Sequence, residues 1–296
     1  MTEQAASSAK KLLLLGSTGM LGQALAKTGA ARGFSVLNVA VSGADINMDV
    51  CDDKSLTELV MREKPDIIIN CVAIVSLNFC EQNPGAAYKI NARPSAILAP
   101  LAKELGGKYI YISTDHYYSG KGRELSRETD PVTLLNEYAR TKYTGEIFAG
   151  LNKNALIART NIIGWRGWPE QPTFLEWVVT ALKKQVEITM FSDYYTSSIM
   201  TTQFAPVLFD LIAKDAAGIY NLACRESFSK QEFITALAQR LNISVRGKTG
   251  TVSSLSGRRA DSLGLSVSRV ETLLGYHMPS FNEVVNLAAA ECHQRG

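Results

Sequence analysis

Lys11-Leu-Leu-Leu-Leu15 runs directly into Gly16-Ser-Thr-Gly19-Met-Leu-Gly22. A short run whose four leucines, Leu12–Leu15, end in glycine reads as a buried strand. The three glycines then read as a tight turn, and the residues after Leu21 carry the pattern of a helix to about Arg32. Strand, glycine turn and helix in that order make a cradle for a pyrophosphate. Glycine lets backbone amides approach the anion, and the helix N-terminus supplies partial positive charge. The spacing is GxxGxxG, one residue longer than the standard fingerprint, so it gains its meaning from the strand before and the helix behind.

Apolar runs and helical stretches alternate from there. Strands are expected at Ser35–Val41, Pro65–Asn70, Lys108–Ser113 and Ala155–Arg159. Helices are expected over Ser55–Glu63, capped by Asp53 or Ser55, and over most of Pro84–Leu105. Continuous apolar strands separated by helices imply a parallel sheet covered on both faces. The expected fold class is therefore α/β, a Rossmann-type doubly wound parallel sheet with a smaller C-terminal substrate lobe. Residues 1–9 are small and polar and are expected to be disordered; 10–163 form the dinucleotide domain and 164–296 mainly the lobe. In the second half, Phe174–Lys184, Ser229–Leu241 (capped by Ser227 or Ser229) and Ser266–Leu274 (closed by Gly275) read as helices. Gly218–Ala223 reads as a strand returning to the main sheet.

Composition narrows the class. The 296 residues are 46% hydrophobic and 20% charged, with a net charge of +3, which points to a globular protein with no nucleic-acid surface. No apolar run reaches membrane-spanning length. Five cysteines, an odd number with no CxxC pair, argue against a disulfide framework or zinc site and for the reducing cytoplasm. No ligand cluster specifies a metal.

Strand C-termini face the ligand crevice in this architecture. Three such ends carry chemistry. Asn70-Cys71-Val72-Ala73 is small enough for a cofactor to pass, or simply packs. Val41-Ser42-Gly43-Ala44 ends the second strand without an immediate acid, and Ser42 leans the reading toward the 2′-phosphate of NADP(H), with NAD(H) as the alternative. Asp45 reads equally well as a solvated loop residue, whereas Asp49 and Val50 could border the adenine. Ser113-Thr114-Asp115 ends the fourth strand, and Thr114 could hydrogen-bond a substrate oxygen. Downstream, Tyr138-Ala-Arg-Thr-Lys142 places a phenol and an ammonium one helical turn apart. An ammonium beneath a phenol would favour the phenolate by direct charge and fit it for proton exchange. A lone histidine such as His116 reads as a satisfied surface or core residue rather than a catalyst, and Tyr117 and Tyr118 read as residues that shape a sugar pocket or simply pack.

These residues resemble the extended short-chain dehydrogenase/reductase superfamily, and within it the dTDP-4-dehydrorhamnose reductase family. The resemblance is carried by Gly16–Gly22, Asn70–Ala73, Ser113-Thr-Asp-His-Tyr-Tyr-Ser-Gly120, Asn136-Glu-Tyr-Ala-Arg-Thr-Lys-Tyr-Thr-Gly-Glu146, Asn91 and Arg159-Thr160, and spans nearly the whole chain. It implies reduction of the C4 keto group of a nucleotide-linked 4-dehydro-6-deoxyhexose by NAD(P)H. Tyr138 would be proton donor, Lys142 would tune it and hold the nicotinamide ribose, and Thr114 would orient the keto oxygen. It further implies cofactor contacts from Gly16, Thr18, Gly19, Met20, Leu21, Gly22, Ser42, Asp49, Val50, Cys71, Val72, Ala73 and Asn91. Substrate contacts would come from Val75, Asp115, His116, Tyr117, Asn161, Phe174 and Arg259. The implied partner is the nucleotide sugar, with a homodimer open to the chain.

Three departures lie in the substrate half. The Thr-Ser-Trp that commonly follows the arginine is here Thr160-Asn161-Ile162, a Pro/Thr-rich segment is replaced by Ser198-Ile-Met-Thr-Thr-Gln203, and an Arg-Pro pair is Arg259-Ala260. They leave open which sugar is reduced, and two other readings: an epimerase or dehydratase of the superfamily, and a dinucleotide-binding regulatory subunit.

Overall fold

The structure, a computed structural model, describes residues 9–254, 260 and 262–295. Its first half consists of β1 (Lys11–Leu15), α1 (Met20–Ala31), β2 (Ser35–Ala40), β3 (Ile46–Asn47), α2 (Asp53–Glu63), β4 (Ile67–Asn70), α3 (Leu77–Gln82), α4 (Pro84–Asn91), α5 (Arg93–Glu104), β5 (Lys108–Ile112), β6 (Leu125–Ser126), α6 (Glu137–Gly150) and β7 (Leu156–Arg159). The chain continues through β8 (Ile162–Ile163), α7 (Phe174–Lys183), β9 (Ile188–Phe191), β10 (Tyr195–Thr196), β11 (Ile199–Met200), α8 (Thr201–Ala213), β12 (Gly218–Asn221), β13 (Phe228–Ser229), α9 (Lys230–Arg240), β14 (Gly247–Gly250), β15 (Ser262–Leu265), α10 (Ser268–Leu274) and α11 (Phe281–Arg295).

Seven strands form one sheet in the order β12-β7-β5-β4-β1-β2-β3, and every neighbouring pair is parallel. The order reverses between β1 and β4, which opens the ligand crevice at their carboxyl ends. Alternate residues of each strand enter two different cores. Leu12 and Leu14 join one with Ile67, Ile69, Ile110 and Ile112, while Leu13 and Leu15 join the other with Ile68, Tyr109 and Tyr111. Both faces are therefore dry, as continuous apolar strands require.

Helix α8 was not among the helices expected, and it contains Pro206. It nevertheless buries Phe204, Leu208 and Phe209, and Phe209 meets Phe34 at 5.3 Å between ring centroids. Helix α2 is capped not by Asp53 or Ser55 but by Asp52, which accepts from the Ser55 amide at 3.1 Å and the Ser55 hydroxyl at 2.6 Å. The expected Pro84–Leu105 helix is broken after Asn91, where Pro94 in the first turn of α5 supplies no amide to the turn before it. A third core lies in the lobe, where Leu175, Val178 and Leu182 of α7 meet Phe233 and Leu237 of α9 and Val284, Val285 and Ala288 of α11. Ser229 caps α9 with a reciprocal Glu232 bond.

Candidate active site

The glycine turn forms as its composition requires. Gly16 has φ +83°, in the left-handed region. A Cβ on Gly22 would collide with the Gly16 carbonyl and Ser17 Cα. Asn136 on α6, Thr173 on α7 and Ser229 on α9 cap their helices through the side chain. The first turn of α1 has no side-chain cap and no acidic residue. Its amides and positive dipole end thus face a cleft without a protein anion, which fits a diphosphate. Gly22→Ala is expected to raise the dinucleotide Kd at least about tenfold (~1.4 kcal/mol), measured by fluorescence titration.

Three adjoining clefts line the carboxyl edge of the sheet. One of about 850 Å3 is walled by Thr18, Gln23, Asn38, Ser42, Gly43, Asp45 and Trp168. A second, about 400 Å3, runs past Gly16, Gly19, Met20, Leu21 and Gly22 to Ala73, Val75, Arg166 and Phe174. The third, about 280 Å3, shares Met20, Leu21, Cys71, Ala73 and Val75 with the second and ends at Thr114, Asp115, His116, Tyr138, Lys142 and Asn161. Most of the sequence-derived candidates thus converge on one continuous edge, although they come from separate strands.

Five candidates lie elsewhere. Asn91 is fully buried behind the cleft, where its side chain accepts from the Ile74 amide at 2.8 Å and donates to the Ile74 carbonyl and the Thr141 hydroxyl at 3.1 Å each. Val50 packs in the core with Val39 and Leu56, and Asp49 accepts from the Cys51 amide at 2.9 Å. Tyr117 is buried, with its hydroxyl 2.7 Å from Ser113 Oγ and the Arg159 guanidinium over its ring at 5.0 Å. Val72 packs its side chain against the sheet core. Arg259 lies outside the described residues.

Helix α6 holds Tyr138 and Lys142 by an unusual buried face: Tyr138, Thr141, Lys142, Gly145 and Glu146 are all buried. Gly145 permits the close approach, since a Cβ there would strike Tyr111 Oη. Tyr138 rests on Leu77, Cys80 and Ala87, and His116 meets its ring edge-on at 5.3 Å.

Burial pushes the Tyr138 phenol above its ordinary range, the Asp115 charge pushes the same way, and a hydrogen bond with the Thr114 side chain pulls it down. The lysine is not among the largest influences. Lys142 Nζ instead donates to the Ile112 carbonyl at 2.7 Å and lies over the Tyr111 ring at 4.1 Å. Burial therefore outweighs the ammonium at the phenol and keeps it protonated. Burial also lowers Lys142 to about 7, against the opposing pull of Glu146 and Cys71. Asp115 is pushed up to about 7 by burial, while its bond from Asn161, the charge of Lys230 and a bond with Thr114 hold it down.

The family model for the RmlD substrate binding domain matches residues 10–294. The chain belongs to that family. The resemblance read from Gly16–Gly22 and Asn136–Glu146 is thereby borne out. Relatives in sequence include the spore coat polysaccharide biosynthesis protein SpsK of Bacillus subtilis, 28% identical over 230 residues and covering 77% of this chain and 78% of that protein. The dTDP-4-dehydrorhamnose reductase of Escherichia coli is 29% identical over 217 residues, 71% of each chain. Among solved structures, the dTDP-4-dehydrorhamnose reductase of Bacillus anthracis in complex with NADP superposes with a TM-score of 0.87 over 96% of this chain and 99% of that one, at 23% identity. That likeness bears out the Rossmann-type sheet with its C-terminal elements.

Sequence reasoning missed several residues at the clefts. Trp168 and Arg166 come from the turn-rich break after β8; the Arg166 guanidinium stacks over Trp168 at 4.4 Å, and the Arg166 carbonyl accepts from Gln23 at 3.0 Å. Glycine and proline in that segment announced a turn but not its destination. Behind the clefts, Thr196 and Lys230, which are linked to Asp115 through Ser198 and Asn161, were not named by the sequence. Among the described residues no helix is long and apolar enough to cross a membrane, and no group of three His, Cys, Asp or Glu could hold a metal ion.

Proposed function

We propose that this chain is an NAD(P)H-dependent reductase of the C4 keto group of a nucleotide-linked 4-dehydro-6-deoxyhexose, working in deoxysugar and surface-polysaccharide synthesis. The observation that carries the reading is the convergence of Thr114, Tyr138 and Lys142 at the end of a cleft that begins at an uncapped, glycine-walled helix N-terminus. Family membership and the reductases among its relatives support it.

A bound nicotinamide supplies the hydride that C4 receives. Tyr138 holds the proton that the keto oxygen needs as C4 is reduced, and burial keeps that proton on the phenol until an alkoxide develops. Thr114, hydrogen-bonded to the phenol, stands where it donates to the same oxygen. Donors fixed in a buried site stabilise such charge far better than water does. Lys142 donates to the cofactor ribose in its ammonium form. Since burial lowers it to about 7, above that pH it is neutral in the free protein and binding must take up a proton. The dinucleotide Kd is therefore expected to rise with pH above about 7, by no more than about tenfold per unit. Calorimetry in buffers of different ionisation enthalpy reads the proton uptake, which Lys142→Met removes.

Ser42 leaned the sequence toward NADP(H). The same cleft also contains Asp45, whose carboxylate accepts from the Asn38 amide at 2.9 Å and side chain at 3.0 Å, and no lysine or arginine is among its lining residues. A carboxylate there accepts from ribose hydroxyls and repels a 2′-phosphate. The Asp45 placement supports NAD(H) over NADP(H). A panel of nucleotide-linked 4-keto-6-deoxyhexoses, assayed with NADH and NADPH, tests both points. Oxidation with at least one sugar, at higher kcat/KM for NADH, is expected; no oxidation with any sugar sinks the function, and a preference for NADPH sinks the role given to Asp45.

A further inference from the structure

Asp115 stands beside Thr114 and is 1% exposed. A buried carboxylate needs donors or a counter-charge. Its Oδ2 accepts from Asn161 Nδ2 at 2.7 Å. Asn161 Oδ1 accepts in turn from Ser198 Oγ at 2.6 Å, and Ser198 Oγ lies 2.9 Å from Thr196 Oγ1. Lys230 Nζ, at the far end, donates to Thr196 Oγ1 at 3.4 Å.

Proton counting fixes the sense of every link. Ser198 has one hydroxyl proton and spends it on Asn161, so it must accept from Thr196. Thr196 then has only its lone pairs to offer, and the ammonium supplies them a proton. All four bonds point the same way, from the cation to the carboxylate. Bonds aligned in one sense polarise one another, and this run is shielded from water, with Thr196 and Ser198 at 0% and 1% exposure. It spans the molecule: Asp115 follows β5, Asn161 follows β7, Thr196 ends β10, and Lys230 opens α9 in the lobe.

The lysine is badly placed for its own helix. It is the first residue of α9, at the positive end of the dipole, where a cation is disfavoured. Its Nζ is instead turned over the Phe174 ring at 4.6 Å, and Phe174 walls the cleft that runs past the glycine turn.

The geometry points to Lys230 as a positioning residue of the substrate site, which acts through Thr196, Ser198 and Asn161 to fix the carboxylate of Asp115 beside Thr114 and Tyr138. The inference rests on the reading of that site as the reduction site. The groups facing Asp115 are Thr114 at 3.3 Å, His116 Nε2 at 4.0 Å, Asn161 and Tyr138. Those facing Lys230 are Thr196, Phe174 and the Tyr194 ring at 5.8 Å. The charge of each reaches the other: Lys230 holds Asp115 down, and Asp115 holds Lys230 up against burial. Asp115 in turn makes the Tyr138 phenol harder to ionise. The lobe thereby governs how firmly the phenol keeps its proton.

The test is a carboxylate carbon NMR titration of Asp115 in the full chain. In Lys230→Met the midpoint is expected to move up by about one unit, while Lys230→Arg restores it. Thr196→Val, which cuts the run but keeps the cation, is expected to move it in the same direction by less, and serves if Lys230→Met does not fold. With a reducible sugar, the limb of the kcat pH profile that follows Asp115 moves alkaline by a similar interval in Lys230→Met while the dinucleotide Kd holds. An unmoved Asp115 midpoint in the folded variants overturns the inference. A wild-type chain that binds dinucleotide but reduces no 4-keto sugar overturns the reduction reading instead, and the titration still decides the role of Lys230.

Discussion

Tyr138→Phe is expected to lower turnover of a 4-keto nucleotide sugar by about 10²–10⁴-fold, the usual contribution of a positioned proton donor. The change removes one oxygen and little else. The ring keeps its bed of Leu77, Cys80 and Ala87 and its edge contact with His116. The amides of α1 that serve a diphosphate are untouched, since they belong to another element. Stability and dinucleotide affinity should therefore hold while kcat falls. Thr114 loses its hydrogen-bond partner and cannot replace it, because an alcohol is a far weaker acid than a phenol. Steady-state kinetics together with a dinucleotide titration separate the two effects. Turnover within a factor of a few of wild type would remove Tyr138 from the chemistry.

The second large effect is on the fold. Arg159 and Glu146 are each 3% exposed at the side chain. They meet in a two-pronged pair, Nε to Oε1 at 2.9 Å and Nη2 to Oε2 at 2.8 Å. The guanidinium also donates to Tyr118 Oη at 2.5 Å and the Glu128 carbonyl at 3.2 Å. This pair ties α6, which carries Tyr138 and Lys142, to β7. Arg159→Met strands a carboxylate in the core and is expected to cost about 3–5 kcal/mol, a large share of the 5–15 kcal/mol typical of a domain. Changing both residues to Leu should cost less than either single change, because no charge is left unpaired. Glu146→Gln should also take Lys142 below its present midpoint, since Glu146 is the larger influence holding it up. Denaturant midpoints read the stability changes, and a single change without effect would mean that water reaches the pair.

The sheet was legible because each of its main strands is a dry run. Leu12–Leu15, Ile67–Ile69 and Lys108–Ile112 need no partner to announce themselves, and topology then places their carboxyl ends together. Tyr138 and Lys142 were legible through their spacing and their position after Thr114. Helix α6 itself was not legible from periodicity, because its buried face carries Thr141, Lys142 and Glu146. The orientation of Lys142 could not be read, since it depends on the Ile112 carbonyl and on the Tyr111 ring beneath it. Asn91 looked like a cofactor residue because its neighbours matched a motif; its three hydrogen bonds instead brace the loop after β4. Lys230 and Thr196 are brought to Asp115 by packing of the lobe; the segment from Ser198 and the cap at Ser229 stood beside them in the sequence without naming either one.

The most direct measurement is isotope transfer. The protein is incubated with a 4-keto-6-deoxyhexose nucleotide and a reduced nicotinamide dinucleotide carrying deuterium at its reactive carbon, and the product is read by NMR. Deuterium at C4 of the sugar, one equivalent for each dinucleotide oxidised, is the expected result, and it should vanish with Tyr138→Phe. A product without deuterium at C4, or a sugar rearranged with no net oxidation of the dinucleotide, would contradict the account.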